Sequence, residues 1–170
     1  CDWSSAVCPS DLRPTGIHLS PDETTLYLVD SCPVVGGNRK IWAFDLSEDG
    51  TPSGQRVVYD FAPGRGGDGM TVDSQGTLYI AAGITRSRGP HESSDIPPGI
   101  WVVTPDGKVQ GRIPIVEDVL TNVTFGGDDL KTLYIAAGDR KSTRLNSRHK
   151  PNPYAGFCLN KKKKKKRESL

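Results

Sequence analysis

The chain has 170 residues, 35% of them hydrophobic and 25% charged, with 19 glycines, 13 prolines and a formal net charge of +2. That size suits one domain, the Gly and Pro content favours short strands and turns over long helices, and no apolar run reaches the roughly 18 residues of a membrane-spanning helix. The near-neutral total hides a split: residues 139–170 hold twelve Lys and Arg against two Asp and Glu, residues 1–138 ten against eighteen, and so acidic a body argues against a nucleic-acid partner.

Residues 1–12, CDWSSAVCPSDL, show no periodicity and read as an irregular stub. No pair among Cys1, Cys8, Cys32 and Cys158 has CxxC spacing. A Cys1–Cys8 bridge is not decided by sequence, and free thiols are the default. From Thr15 a pattern begins. TGIHLS is a short strand, SPDET a turn, and TLYLVDS, from Thr25, a second strand. KIWAFDLS and RVVYDF follow. The runs are β-branched or aromatic and bounded by Gly, Pro, Asp and Ser. DLSEDG, from Asp45, imitates the start of an EF-hand loop, but Arg56 stands at the twelfth position, where a bidentate Glu is needed. It reads as a hairpin turn.

A second set starts at GMTVDS, turns at DSQG, continues as TLYIAAG from Thr77, passes a long loop at 84–98 and ends with GIWVVT and VQGRIPI. A third starts at NVTFGG, turns at GGDDLK and reaches TLYIAAG from Thr132. The three TLY segments recur at 52 and 55 residues. Four short strands in about fifty residues make a propeller blade, and no window shows helical i, i+3, i+4, i+7 spacing. The expected fold is all-β: a β-propeller fragment of two complete four-stranded blades, 15–61 and 68–115, plus half a third that breaks off at Gly138. Strands 15–20, 69–74 and 121–126 are expected innermost. Closure takes at least about four blades, so the domain at 13–138 is expected to be part of a larger ring.

Residues 139–170, DRKSTRLNSRHKPNPYAGFCLNKKKKKKRESL, break the pattern. A basic arm of this kind suits nucleic acid or an anionic membrane. However, DRKSTRLNS and YAGFCL resemble, in order, the translation of a sequencing-adapter oligonucleotide, and the six lysines resemble a run of adenines. The segment is therefore expected to be a disordered basic tail outside the fold, which removes His149 and Cys158 from the functional inventory.

In GRGGDGM, residues 64–70, four glycines surround one carboxylate. Asp68 lies nine residues before Thr77, Thr15 ten before Thr25, and Asn122 ten before Thr132. These are read as equivalent positions at the starts of the innermost strands, which line the central channel of a propeller. Carboxylate and amide oxygens meeting there suit a hard cation, and glycines let the backbones crowd. The competing reading is ordinary Asp-Gly turn chemistry. His18, between Ile17 and Leu19, packs in the strand or faces the channel. NVT at Asn122 fits a glycosylation pattern but is expected to be inaccessible on an inner strand.

RPTGIHLSPDETTLYLVDS, IWAFDL, GRGGDGMTVDSQGTLYIAAG and TNVTFGGDDLKTLYIAAG together resemble the senescence-marker-protein/gluconolactonase/luciferin-regenerating-enzyme family of six-bladed propellers, over nearly all of 13–138. The resemblance implies a lactonase that opens sugar lactones with a divalent cation, usually Ca²⁺, with Zn²⁺ or Mn²⁺ as alternatives. In that family a Glu of the first blade, an Asn in PNG and an Asp in DGM hold the cation. Asp68 matches the Asp, as metal ligand and as the catalytic group that orients or deprotonates water. Thr15, in PTG, stands where the Asn is expected and is a poorer ligand. The Glu has no counterpart here. Asn122 and His18 are channel-lining by register alone. The implied partner is a small sugar lactone, with no nucleic acid and no membrane, and the fragment is expected to be inactive by itself. The alternative is a non-catalytic binding module with a structural axial metal. The lactone, the oligomeric state and the location, whether cytoplasmic, periplasmic or secreted, are not read from sequence.

Overall fold

The computed structural model describes residues 13–32, 36–87 and 93–138, and the backbone of 156–159. β1 (Pro14–Leu19), β2 (Thr25–Ser31), β3 (Arg39–Leu46) and β4 (Pro52–Asp60) form one antiparallel sheet in chain order. β5 (Gly67–Val72), β6 (Leu78–Ala82), β7 (Gly99–Val103) and β8 (Val109–Pro114) form a second. β9 (Val119–Gly126) and β10 (Thr132–Gly138) form the third, whose far edge is taken by β11 (Gly156–Leu159). The fold is all-β, as expected, with two four-stranded blades and a third that is incomplete. The inner strands β1, β5 and β9 start one or two residues earlier than expected, and β1 and β5 also end earlier, because Ser20 and Asp73 belong to turns.

Five hairpins share one design. Glu23 donates its N–H to Ser20 O, Gly50 to Ser47 O, Gly76 to Asp73 O, Gly107 to Thr104 O and Leu130 to Gly127 O, at 2.8–3.1 Å. The donor residue has positive φ each time: 58°, 79°, 85°, 83° and 54°. Glycine adopts that conformation without steric cost; Glu23 and Leu130 adopt it with a Cβ. The Asp45 segment is thus a hairpin, with Ser47 Oγ donating to Asp49 Oδ1 at 2.6 Å.

The sheets pack face to face through alternating positions of the TLY strands. Tyr27, Val29, Ile41 and Ala43 of the first sheet meet Leu78, Ile80, Ala82 and Val103 of the second, with Met70 and Phe61 between them. The opposite face of the second sheet brings Ala81 and Ile100 against Leu120, Val123, Leu133 and Ile135 of the third. A middle blade buries both faces, which is why LYIAA is nearly continuously apolar. Ile80 is fully buried, so truncating it to Ala should cost about 2–5 kcal/mol.

Two expectations fall mostly outside the described residues: the stub at 1–12 and the tail at 139–170. Within the tail, 156–159 departs from the expected disorder. Its backbone pairs parallel with β10, Thr132 opposite Gly156 and Ile135 opposite Leu159. In the complete blades the third strand runs antiparallel there. Among the described residues no antiparallel third strand joins β10, and a sheet edge with unpaired N–H and C=O groups accepts an extended segment.

Candidate functional site

The inner strands β1, β5 and β9 lie side by side. Their close approach depends on glycine. A Cβ on Gly16 would stand 2.5 Å from the Asp68 carbonyl oxygen and 3.3 Å from Gly69 Cα; one on Gly69 would overlap Asn122, 2.7 Å from its Cα. The starts of the strands are therefore pressed together at one end, and with them Thr15, Asp68 and Asn122.

Each start is irregular. The ladder slips between Pro14 and Gly16 on β1 and between Gly67 and Met70 on β5. Thr15 and Asp68 sit in these slips, where a bulge re-aims a side chain. On β9 the slip leaves out Thr121, between Leu120 and Asn122. Ile17, Met70 and Val123 face Leu28, Ile80 and Ile135 respectively. By that register Thr121, and not Asn122, is the counterpart of Thr15 and Asp68, while Asn122 corresponds to Gly16 and Gly69. Counting back from the threonines misplaces it because the turns differ in length. Six residues separate Leu19 from Leu26 and five separate Val72 from Leu78, but seven separate Phe125 from Leu133. Asn122 is also exposed, on a sheet face that nothing in the described structure covers.

The two threonines behave alike. Thr15 Oγ1 donates toward Gly67 O at 3.2 Å, with Val29 O at 3.5 Å. Thr121 Oγ1 donates to Ala136 O at 3.3 Å, and Ala136 is the counterpart of Val29 in the register. Asp68 differs. Its carboxylate is half-buried, and among the described residues it accepts no hydrogen bond. Its cationic neighbour is Arg65, Nη2 to Oδ2 at 3.9 Å, beyond hydrogen-bond distance. Burial pushes its pKa above the usual carboxylate value, and Arg65 only partly opposes this.

Two buried charges hold the surroundings. Arg39, 4% exposed, donates Nε–H to Gly64 O at 3.1 Å and so anchors the glycine-rich segment before Asp68. Asp30, fully buried, accepts the Arg13 N–H at 2.8 Å and fixes the chain entering β1. Neither was singled out in the sequence. The signal for Asp30 was its place in TLYLVDS, where both other copies read TLYIAAG. His18 does not join the group: it lies about three residues, roughly 10 Å, along β1 from Thr15. There its Nδ1 is 2.8 Å from Leu19 O, and it lines an open cleft with Ser20, Glu23 and Asp73 at the other end of the inner strands.

Asp68, Thr15 and Asn122 bring only oxygen donors, the kind a hard cation takes. Among the described residues no three His, Cys, Asp or Glu side chains converge. These oxygens fit a divalent cation in kind, and three are fewer than the about six to eight oxygens such a cation takes.

A family model described as SMP-30/Gluconolactonase/LRE-like region matches residues 9–139. The chain is 33% identical over 124 residues to a 6-deoxy-6-sulfogluconolactonase of Pseudomonas putida, covering 72% of this chain and 37% of that protein. It is 33% identical over 133 residues to a gluconolactonase of Zymomonas mobilis, 74% of this chain and 32% of that one. Among solved structures it superposes on a gluconolactonase of Xanthomonas campestris with TM-score 0.57 and 29% identity, covering 75% of this chain and 36% of that one. The chain thus spans about a third of the length of the curated relatives it matches.

Proposed function

The chain belongs to the SMP-30/gluconolactonase/LRE-like family, and from that premise we propose that it is the part of a sugar-lactone hydrolase that carries the DGM carboxylate of a divalent-cation site. The observation that carries this is Asp68: a half-buried carboxylate at the converging starts of the inner strands, without a hydrogen-bond donor among the described residues. A carboxylate so placed is costly unless a cation faces it. Ca²⁺ fits the all-oxygen donor set best, with Mn²⁺ or Zn²⁺ as alternatives. When bound, such a cation polarises a lactone carbonyl toward attack by water.

The residues themselves do the rest. Asp68 would help hold the cation and orient the attacking water, and a carboxylate beside that water can take up its proton. Thr15 offers its hydroxyl oxygen from the adjoining strand while its hydrogen stays on Gly67 O. Arg39 and Asp30 keep both strand starts in place. The remaining oxygens of the shell would come from blades beyond this segment, so the 170 residues alone are expected to be inactive.

The test is hydrolysis of gluconolactone with added Ca²⁺, Mn²⁺ or Zn²⁺ by a complete six-bladed protein that contains residues 13–138. Asp68→Asn should lower the rate by about 10²–10⁴-fold, the span of a positioned acid–base group, with circular dichroism unchanged. Full activity in that variant would remove Asp68 from the site.

A further inference from the structure

From Gly64 to Met70 five residues are buried and two are not: Arg65 and Asp68. The segment belongs to the second blade, which has a blade packed on either face, so these two are not exposed by lying at an end of the row.

Arg65 is held more firmly than a solvated arginine needs. Gly64, before it, accepts the Arg39 Nε–H at 3.1 Å, bridges to Ser93 and packs against Ile96. Gly66, after it, has no room for a side chain: a Cβ there would stand 2.9 Å from Ser31 Oγ and 3.3 Å from Arg39 Cα. Contacts from β2, β3 and the loop at 93–96 thus fix the backbone on both sides of Arg65, which places its guanidinium in advance of any ligand. The side chain is 20% exposed, and its Nη2 lies 3.9 Å from Asp68 Oδ2, too far for a hydrogen bond. Among the described residues no acceptor stands within hydrogen-bond distance of the guanidinium. Its donors, beside the Asp68 carboxylate, are left for a ligand.

Charge says which kind. A divalent cation on Asp68 would outweigh that one carboxylate and leave Arg65 without a counter-charge. One more carboxylate around the cation would still leave positive charge in excess. An anion restores the balance, and lactone hydrolysis makes one. Water adds to the carbonyl carbon, and the ring C–O bond breaks with its electron pair going to the ring oxygen, which takes up a proton. The acid so formed loses its remaining proton and becomes a carboxylate. Resting on the lactonase reading above, we infer that Arg65 binds the carboxylate of the ring-opened sugar acid, so that the site beside Asp68 prefers this anion to a neutral sugar. The planar guanidinium matches a carboxylate with two parallel N–H donors.

The experiment is isothermal titration calorimetry of the complete six-bladed protein that contains residues 13–138, with Ca²⁺ present. Sodium gluconate is one ligand and glucitol, its neutral counterpart, the other. Gluconate should bind more tightly. Arg65→Gln should weaken gluconate by about 10–100-fold, the worth of a hydrogen bond to a charged group, and leave glucitol within about twofold. Arg65→Lys keeps the charge and loses the fork, and should fall between the two. Gluconate that binds no tighter than glucitol would overturn the inference. So would gluconate that binds Arg65→Gln as well as the unsubstituted protein, since the cation alone would then hold the carboxylate. Equal losses of both ligands would overturn it too, as the mark of a merely structural arginine. Asp68 is judged on the rate of hydrolysis and Arg65 on discrimination at equilibrium, so either reading can fail while the other stands.

Discussion

At the start of β1, Thr15 turns its hydroxyl onto Gly67 O and Val29 O; at the start of β5, Asp68 holds a carboxylate with no donor among the described residues and an arginine 3.9 Å away. The backbone is nearly the same in both places: an irregular ladder step, then a glycine pressed against the neighbouring strand. The side chains decide the rest. A hydroxyl can donate, so a ring of backbone carbonyls satisfies it and it becomes an interblade tie. A carboxylate only accepts, and those carbonyls repel it. The charged group that faces it here is Arg65, and a cation from solution would suit it equally. One repeated backbone therefore yields a structural tie in one blade and an open charged site in the next.

The shared backbone is the first thing to break. Gly16→Val and Gly69→Val should each destabilise the chain by roughly 2–4 kcal/mol, because their Cβ atoms meet backbone that cannot swing away. Urea unfolding checks this, and a loss at one glycine but not the other would mean that the two starts are not alike. Next in size is the tie. Thr15→Val should cost about 1 kcal/mol, the net value of a part-buried hydrogen bond, and should leave the Asp68 titration in place.

The smallest effects concern charge. Asp68 has a folded pKa raised by burial, so between pH 3.8 and that raised value the folded state binds more protons than the unfolded one, and stability falls as pH rises. In cation-free buffer Asp68→Asn should therefore be the more stable form at neutral pH and lose its advantage below pH 3.8. Arg65→Gln removes the opposing influence and should move the Asp68 carboxyl titration, followed by carbon NMR, further upward. A downward move would mean that Arg65 is not the cation Asp68 feels.

The strands and their grouping into blades were legible because the TLY segments repeat with little change, and the close strand approach beside Asp68 because the glycines of GRGGDGM mark backbone contact. Thr121 was hidden behind Asn122, since residue counting cannot see that the β9–β10 turn is longer. No sequence pattern marks Arg39, and only the fold brings Gly64 over it. The pairing of Gly156–Leu159 with β10 depends on the edge β10 presents, which no pattern within those four residues records. His18 shared the inner strand with Thr15, but the strand's length carries it to the other end.

The most direct test of Asp68 as a cation ligand is paramagnetic broadening by substoichiometric Mn²⁺ in amide NMR spectra of the 170-residue chain. Asp22, Asp49 and Asp106, fully exposed acids of the hairpin turns, serve as internal controls for unspecific binding. If Asp68 holds the cation, the amides of Gly16, Asp68, Gly69 and Asn122 broaden first, and Asp68→Asn abolishes that broadening while the turns respond as before. Broadening confined to the turns, or unchanged at Gly69 after Asp68→Asn, would contradict it.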